Sequence, residues 1–165
     1  MEKVFNALFL SQRNSARGPL AAALLNQIGK GRFRAFSAGV RPKQSVDPLG
    51  LELLAHVGIK ADQVQTRRYD ELIGENAPTL DFVFTLSDTA AGEAPPVWPG
   101  RPVTAHWRCE DPEKYAQDGP ARRLSLIRTR SELERRLRVF INLPFSSLDR
   151  MSLQDHVDAI DREAR

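Results

Sequence analysis

The chain has 165 residues, 41% of them hydrophobic and 27% charged. That mixture and length suit an ordinary globular protein with a substantial buried core, read as one domain over 1–165. No apolar run is long enough to span a membrane, no signal-peptide pattern opens the chain, and the single cysteine, Cys109, excludes an internal disulfide. A cytoplasmic protein with no membrane partner is therefore expected. The net charge is only +3, yet residues 1–60 hold nine Lys/Arg against three acids, and 61–107 reverse that balance. A basic N-terminal third favours an acidic ligand. Nucleic acid is the weaker alternative, because the basic residues accompany no reading motif or aromatic platform.

In chain order, the apolar run Val4 to Leu10 reads as a strand that stops at Ser11-Gln12-Arg13-Asn14-Ser15-Ala16-Arg17-Gly18-Pro19. Leu20 to Ile28 reads as a helix, with Pro19 in its first turn, where a missing N–H costs nothing. A loop entering a helix N-terminus offers unpaired N–H groups and the positive dipole end to an anion, and Arg17 adds a planar fork of donors. Arg32 to Ala38 alternates as a strand, ended by Gly39. Pro48 opens a helix with apolar residues at Leu49, Leu53, Leu54 and Val57, closed by Gly58. Tyr69 to Ile73 suggests a short helix, and Leu80 to Leu86 the most buried strand. Residues 92–102, with four prolines and two glycines, mark a loop before a fourth strand at Val103 to Trp107.

From Gly119 a long helix is expected, with Leu124, Ile127, Leu133, Leu137, Phe140 and Ile141 inward, arginines on its solvated remainder and Pro144 at its end. Ser152-Leu153-Gln154-Asp155 resembles a capping box for a terminal helix. Strands alternating with helices predict an α/β fold with a mainly parallel sheet, whose ligands sit at the carboxyl ends of the strands, where Ser11 to Arg17 lies.

With this loop, the strand Phe33 to Gly39 and the pair Asp111-Pro112, the chain resembles the low-molecular-weight protein tyrosine phosphatase family. Its arsenate reductase branch looks closest. Ser37-Ala38-Gly39, Leu80 to Thr85, Pro96 to Gly100 and Val103 to Trp107 support the likeness, which covers nearly the whole length. It implies a four-stranded parallel sheet with helices on both faces, and no metal or cofactor. The implied roles are oxyanion binding by Ser11, Gln12, Arg13, Asn14, Ser15, Ala16 and Arg17, and general acid for Asp111. Asn14 would shape the loop in left-handed backbone geometry. The implied partner is a small oxyanion (phosphate, arsenate or sulfate) or a phosphorylated protein.

The family signature, Cys-x5-Arg-Ser/Thr, reads here Ser11-x5-Arg17-Gly18. A loop cysteine attacks because dipoles and arginine stabilise its thiolate, whereas a serine hydroxyl needs a neighbouring base. The loop holds no histidine, and His56, His106 and His156 are scattered. Gly18 lacks the family's stabilising hydroxyl, and Ser87 and Pro95 stand where the arsenate branch carries resolving cysteines. Cys109, two residues before Asp111, is the remaining thiol. Arg67 and Arg68 read as a surface pair. The expectation is a family member that grips an anion without thiolate chemistry. An enzyme using another nucleophile and an interaction protein with an empty loop remain the alternatives.

Overall fold

The computed structural model describes residues 3–64, 66–93, 98–117 and 119–163. Four strands, β1 (Phe5–Ser11), β2 (Phe33–Gly39), β3 (Phe82–Thr85) and β4 (Val103–His106), form one parallel sheet in the order β2-β1-β3-β4. The central strand β1 aligns Ser11 with Gly39 and Leu10 with Thr85, so the strand ends that carry the loop stand side by side. Five α-helices connect or flank them: α1 (Arg17–Ile28), α2 (Pro48–Ala55), α3 (Asp88–Glu93), α4 (Pro120–Ile141) and α5 (Arg150–Glu163).

Alternation along β1 builds two cores. Ala7 and Phe9 join Phe82, Phe84 and Trp107 beneath α1, α2, α4 and α5, through residues such as Leu20, Leu54, Leu133, Phe140 and Val157. Leu8 and Leu10 face the other way, onto Ala90 of α3, Leu72 and Trp98. Helical segments thus cover both faces, as the sequence predicts. Tyr69–Leu72 is a short 3-10 turn, matching the short helix expected there.

Three expectations need correction. The buried face of α4 runs through Arg122, Ser125, Leu126, Thr129, Leu133, Arg136, Leu137 and Phe140, while Leu124 is exposed. Two of the arginines therefore face inward, because each meets a buried carboxylate: Arg122 on Asp47 and Arg136 on Asp161. The apolar residues alone hid this face. Secondly, Ser152 lies inside α5, since Asp149 caps that helix by accepting the Ser152 N–H at 2.8 Å. Finally, α4 ends at Ile141, with Asn142 rather than Pro144 at its boundary. Pro95 to Val97, which include one of the positions discussed above, lie outside the described residues.

Candidate oxyanion site

The loop from Ser11 to Arg17 is held by its own carbonyls. Those of Ser11, Gln12, Arg13 and Ser15 accept hydrogen bonds from the N–H groups of Val40, Arg41, Lys43 and Asp47, at 2.6–3.1 Å. The segment 40–47 after β2 thus grips the loop from outside. Turned the other way, the Asn14 N–H donates to Ser11 Oγ at 3.1 Å. The N–H groups of Arg13, Ser15, Ala16 and Arg17 have no partner among the described residues. These are the groups an anion would use. Asn14 has φ 49°, the left-handed geometry expected of it, and its side chain is fully buried.

Ser11, Arg13, Asn14, Ser15, Ala16 and Arg17 line one small concavity together with Asp111 and Pro112. Gln12 instead lines a cleft of about 560 Å³ next door, which Arg17 and Asp111 share. Every predicted site residue therefore meets at one end of the sheet. None of the three histidines is among them: His106 hydrogen-bonds Thr85 and Asp88, and His56 and His156 are exposed. Arg68 is exposed on its own carboxylate, Asp70, as a surface residue should be.

Gly18, in the first turn of α1, packs directly against the loop. A Cβ there would lie 2.8 Å from Asn14 Oδ1 and 3.3 Å from Ser11 Oγ. Both polar atoms of the buried Asn14 amide lack a hydrogen-bond partner among the described residues. Such orphans cost about 1–3 kcal/mol each, so a native structure seldom keeps them without reason. Here the missing partner lies in the direction of the hydroxyl that residue 18 does not have.

Charge is dense around the rim. Arg17, only 5% exposed, points a guanidinium nitrogen at the Cys109 carbonyl (3.4 Å), with another 3.8 Å from Asp111. Burial lowers its pKa from the ordinary value, and the Asp111 carboxylate opposes that shift. Arg13 spans the rim, donating to Asp111 Oδ2 at 3.1 Å and pairing with Glu113 Oε2 at 2.7 Å. Partial burial pushes the Asp111 carboxyl up. The Glu113 N–H, the Arg13 hydrogen bond and the charges of Arg17 and Arg13 outweigh it, leaving Asp111 below the usual aspartate value. At neutral pH it is a carboxylate, not an acid.

Sequence reasoning missed the brace behind this rim. Glu113 also pairs with Lys43, and Arg122 reaches Asp47 Oδ2 at 2.6 Å and Glu113 at 3.8 Å. Asp47 in turn caps α2 through the Leu49 N–H, and its own N–H holds the Ser15 carbonyl. The Asp47-Pro48 pair signals a helix start in the sequence, but its link to Arg122, 75 residues away, has no local signature.

Cys109 is buried beside the site, with Arg136 Nη1 at 3.8 Å from its sulfur. Burial raises its pKa to about 11, against the opposing charges of Arg136 and Arg17. The folded protein should therefore resist a thiol reagent at pH 8, and the thiol should react in full once urea unfolds the chain. Ser87 is also buried, its hydroxyl accepting the Ala90 N–H at 3.1 Å as the cap of α3.

Residues 6–154 match the model of the low molecular weight phosphotyrosine protein phosphatase family. Among curated proteins, a glutaredoxin arsenate reductase from Synechocystis is 27% identical over 113 residues, covering 68% of this chain and 80% of its own. The crystal structure of an arsenate reductase from Archaeoglobus fulgidus aligns with TM-score 0.59 and 28% identity, over 79% of this chain and 98% of that one. A cysteine-to-serine variant of the arginine phosphatase YwlE, whose active-site serine is phosphorylated, aligns with TM-score 0.59 and 24% identity, over 81% of this chain and 91% of that one. Mutant YwlE is also known from Bacillus subtilis. Parallel sheet, loop and family match agree, and the chain belongs to the low molecular weight phosphotyrosine protein phosphatase family.

Proposed function

We propose that this chain is a catalytically silent member of its family that binds a small oxyanion, or the phosphate of a phosphorylated protein, in the loop Ser11 to Arg17. The observation that carries the reading is the orientation of that loop. The carbonyls of Ser11, Gln12, Arg13 and Ser15 are satisfied outside by residues 40–47, while four of the loop's N–H groups have no partner among the described residues and the buried Arg17 stands beside them. Silence rests on chemistry. Ser11 Oγ has a backbone N–H as its neighbour instead of a base, Asp111 is held ionised, and Cys109 is held protonated. None of the three can do what a loop thiolate does.

Phosphate at a hundred times its Kd should stabilise the fold by about 2.7 kcal/mol, a rise in Tm of about 5–10 °C for a chain of this size. Arg17→Ala should abolish that shift while the protein stays folded. A scan with phosphate, arsenate and sulfate that moves no Tm at millimolar concentration rejects the binding. Turnover of 4-nitrophenyl phosphate that disappears in Ser11→Ala rejects the silence. The phosphorylated serine of the YwlE variant favours a second reading, in which Ser11 accepts a phosphoryl group slowly and keeps it. Intact-mass analysis after incubation with an aryl phosphate decides it: one phosphate adduct, absent in Ser11→Ala, is the expected sign.

A further inference from the structure

The 560 Å³ cleft beside the loop has a composition of its own. It opens on the loop through Gln12 and Arg17, and no aromatic side chain is among the described residues that line it. A ring-bearing phosphate would find no stacking surface there. Instead the walls carry four cations and four carboxylates, most of them paired off. Arg17 faces Asp111, Arg108 reaches Asp88 at 3.5 Å, and Lys114 meets Glu110 at 2.6 Å. Glu110 is further held by Ser125 and Tyr115, both at 2.7 Å. The Lys114 hydrogen bond, then those of Ser125 and Tyr115, pull its pKa down to about 2, so it is saturated. Arg136, in the same wall, pairs with Asp161 at 3.4 Å through one nitrogen and reaches the Arg108 carbonyl and the Cys109 sulfur through the other.

That leaves Glu132. It is half-buried on α4, within the electrostatic reach of Cys109, and has no ion pair or hydrogen bond among the described residues. A partly buried carboxylate with no ion pair attracts a cation brought into the same cleft. The cleft that opens on the loop through Gln12 and Arg17 is therefore also lined by a carboxylate with no ion pair among the described residues.

We propose that the cleft selects a phosphate ligand that also carries a positively charged nitrogen, its oxyanion in the loop and its ammonium or guanidinium on Glu132. This rests on the loop reading above and adds the chemical class of the ligand's other end. The source of such a group is either a free aminoalkyl phosphate or a phosphorylated protein segment with a basic group near its phosphate. The shared chemistry is a zwitterionic phosphate, and the two sources differ in size.

Titration calorimetry on the full chain tests it, with inorganic phosphate, two matched pairs (O-phosphoethanolamine against ethyl phosphate, 4-aminobutyl phosphate against butyl phosphate), and a phosphoserine peptide with and without a neighbouring arginine. At least one cationic probe should bind about three- to tenfold tighter than its neutral partner, the scale of one partly exposed ion pair with its hydrogen bond. In Glu132→Gln that preference should vanish while the affinity for inorganic phosphate is kept. Glu132→Lys should invert it, favouring 2-phosphoglycolate over ethyl phosphate. A preference confined to the small probes assigns a metabolite, and one confined to the peptide assigns a protein partner. Equal affinities in every pair, or a preference that survives Glu132→Gln, overturn the proposal and leave the loop reading intact. Failure of inorganic phosphate to bind overturns both.

Discussion

Replacing Ser11 by cysteine and Gly18 by serine together should give the aryl-phosphatase activity that the parent protein is expected to lack. The expected gain is large because it restores a reaction path instead of adjusting one. At position 11 a thiol would lie among the loop's N–H groups and the positive end of α1, where a thiolate is stabilised. Arg17 is already placed to receive the developing charge. Serine at 18 brings a Cβ to 2.8 Å from Asn14 Oδ1, so that amide must move. It can, because neither of its polar atoms is held by a partner among the described residues, and its new neighbour supplies a hydroxyl to bind.

The rate of the double variant should then report on Asp111. Leaving-group protonation by a positioned acid contributes about 10²–10⁴-fold, and it requires the protonated form. With its pKa depressed, Asp111 is protonated only under acid conditions, so kcat/KM should fall as pH rises through that low value. Arg13→Ala removes one hydrogen bond and one charge that depress it, which raises the pKa and moves the basic limb of the profile upward. The triple variant should therefore be faster near neutral pH than the double one. A profile that does not move would remove Asp111 from the reaction, and no turnover in either variant would mean that more than the nucleophile has been lost.

The fold was legible in this sequence because local and global signals agree. β1 shows an apolar run, β2 and β4 end at small or polar residues, and each helix start carries a proline or a capping residue. The loop was legible for the same reason, since Ser11 to Arg17 are contiguous and the strand–loop–helix order alone places them at one end of the sheet. What stayed hidden was long-range charge. Periodicity reads Arg122 and Arg136 as solvated, because it scores side chains by polarity and cannot see a carboxylate arriving from another element. The structure buries both, at 7% and 4% exposure, each against an aspartate. Arg13 was similarly open: its distance to Asp111 depends on how the loop after β4 folds back, and that contact helps hold the Asp111 carboxyl below the usual aspartate value.

The hidden brace makes the strongest stability prediction. Asp47→Ala should cost about 3–5 kcal/mol, the range for breaking one side of a buried ion pair. Asp47 and Arg122 have side chains only 4% and 8% exposed and meet at 2.6 Å. Once Asp47 is gone, Arg122 keeps Glu113 at 3.8 Å, and its Nε already lacks a partner among the described residues. The helix cap is lost as well, a further cost of about 1 kcal/mol that overlaps with the first. Asp47→Asn, which keeps the oxygen facing the Leu49 N–H, should recover the cap and not the charge. In the double variant Asp47→Ala with Arg122→Met no stranded charge remains, so it should be more stable than Asp47→Ala alone. Urea titration of the four proteins measures this directly. The same set should separate stability from binding, because the Asp47 backbone N–H that anchors the Ser15 carbonyl survives every substitution but is positioned by the side chain. Phosphate affinity should weaken in Asp47→Ala more than in Asp47→Asn. If both bind as tightly as the parent, residues 40–47 hold the loop through the backbone alone, and the ion pair serves only the fold.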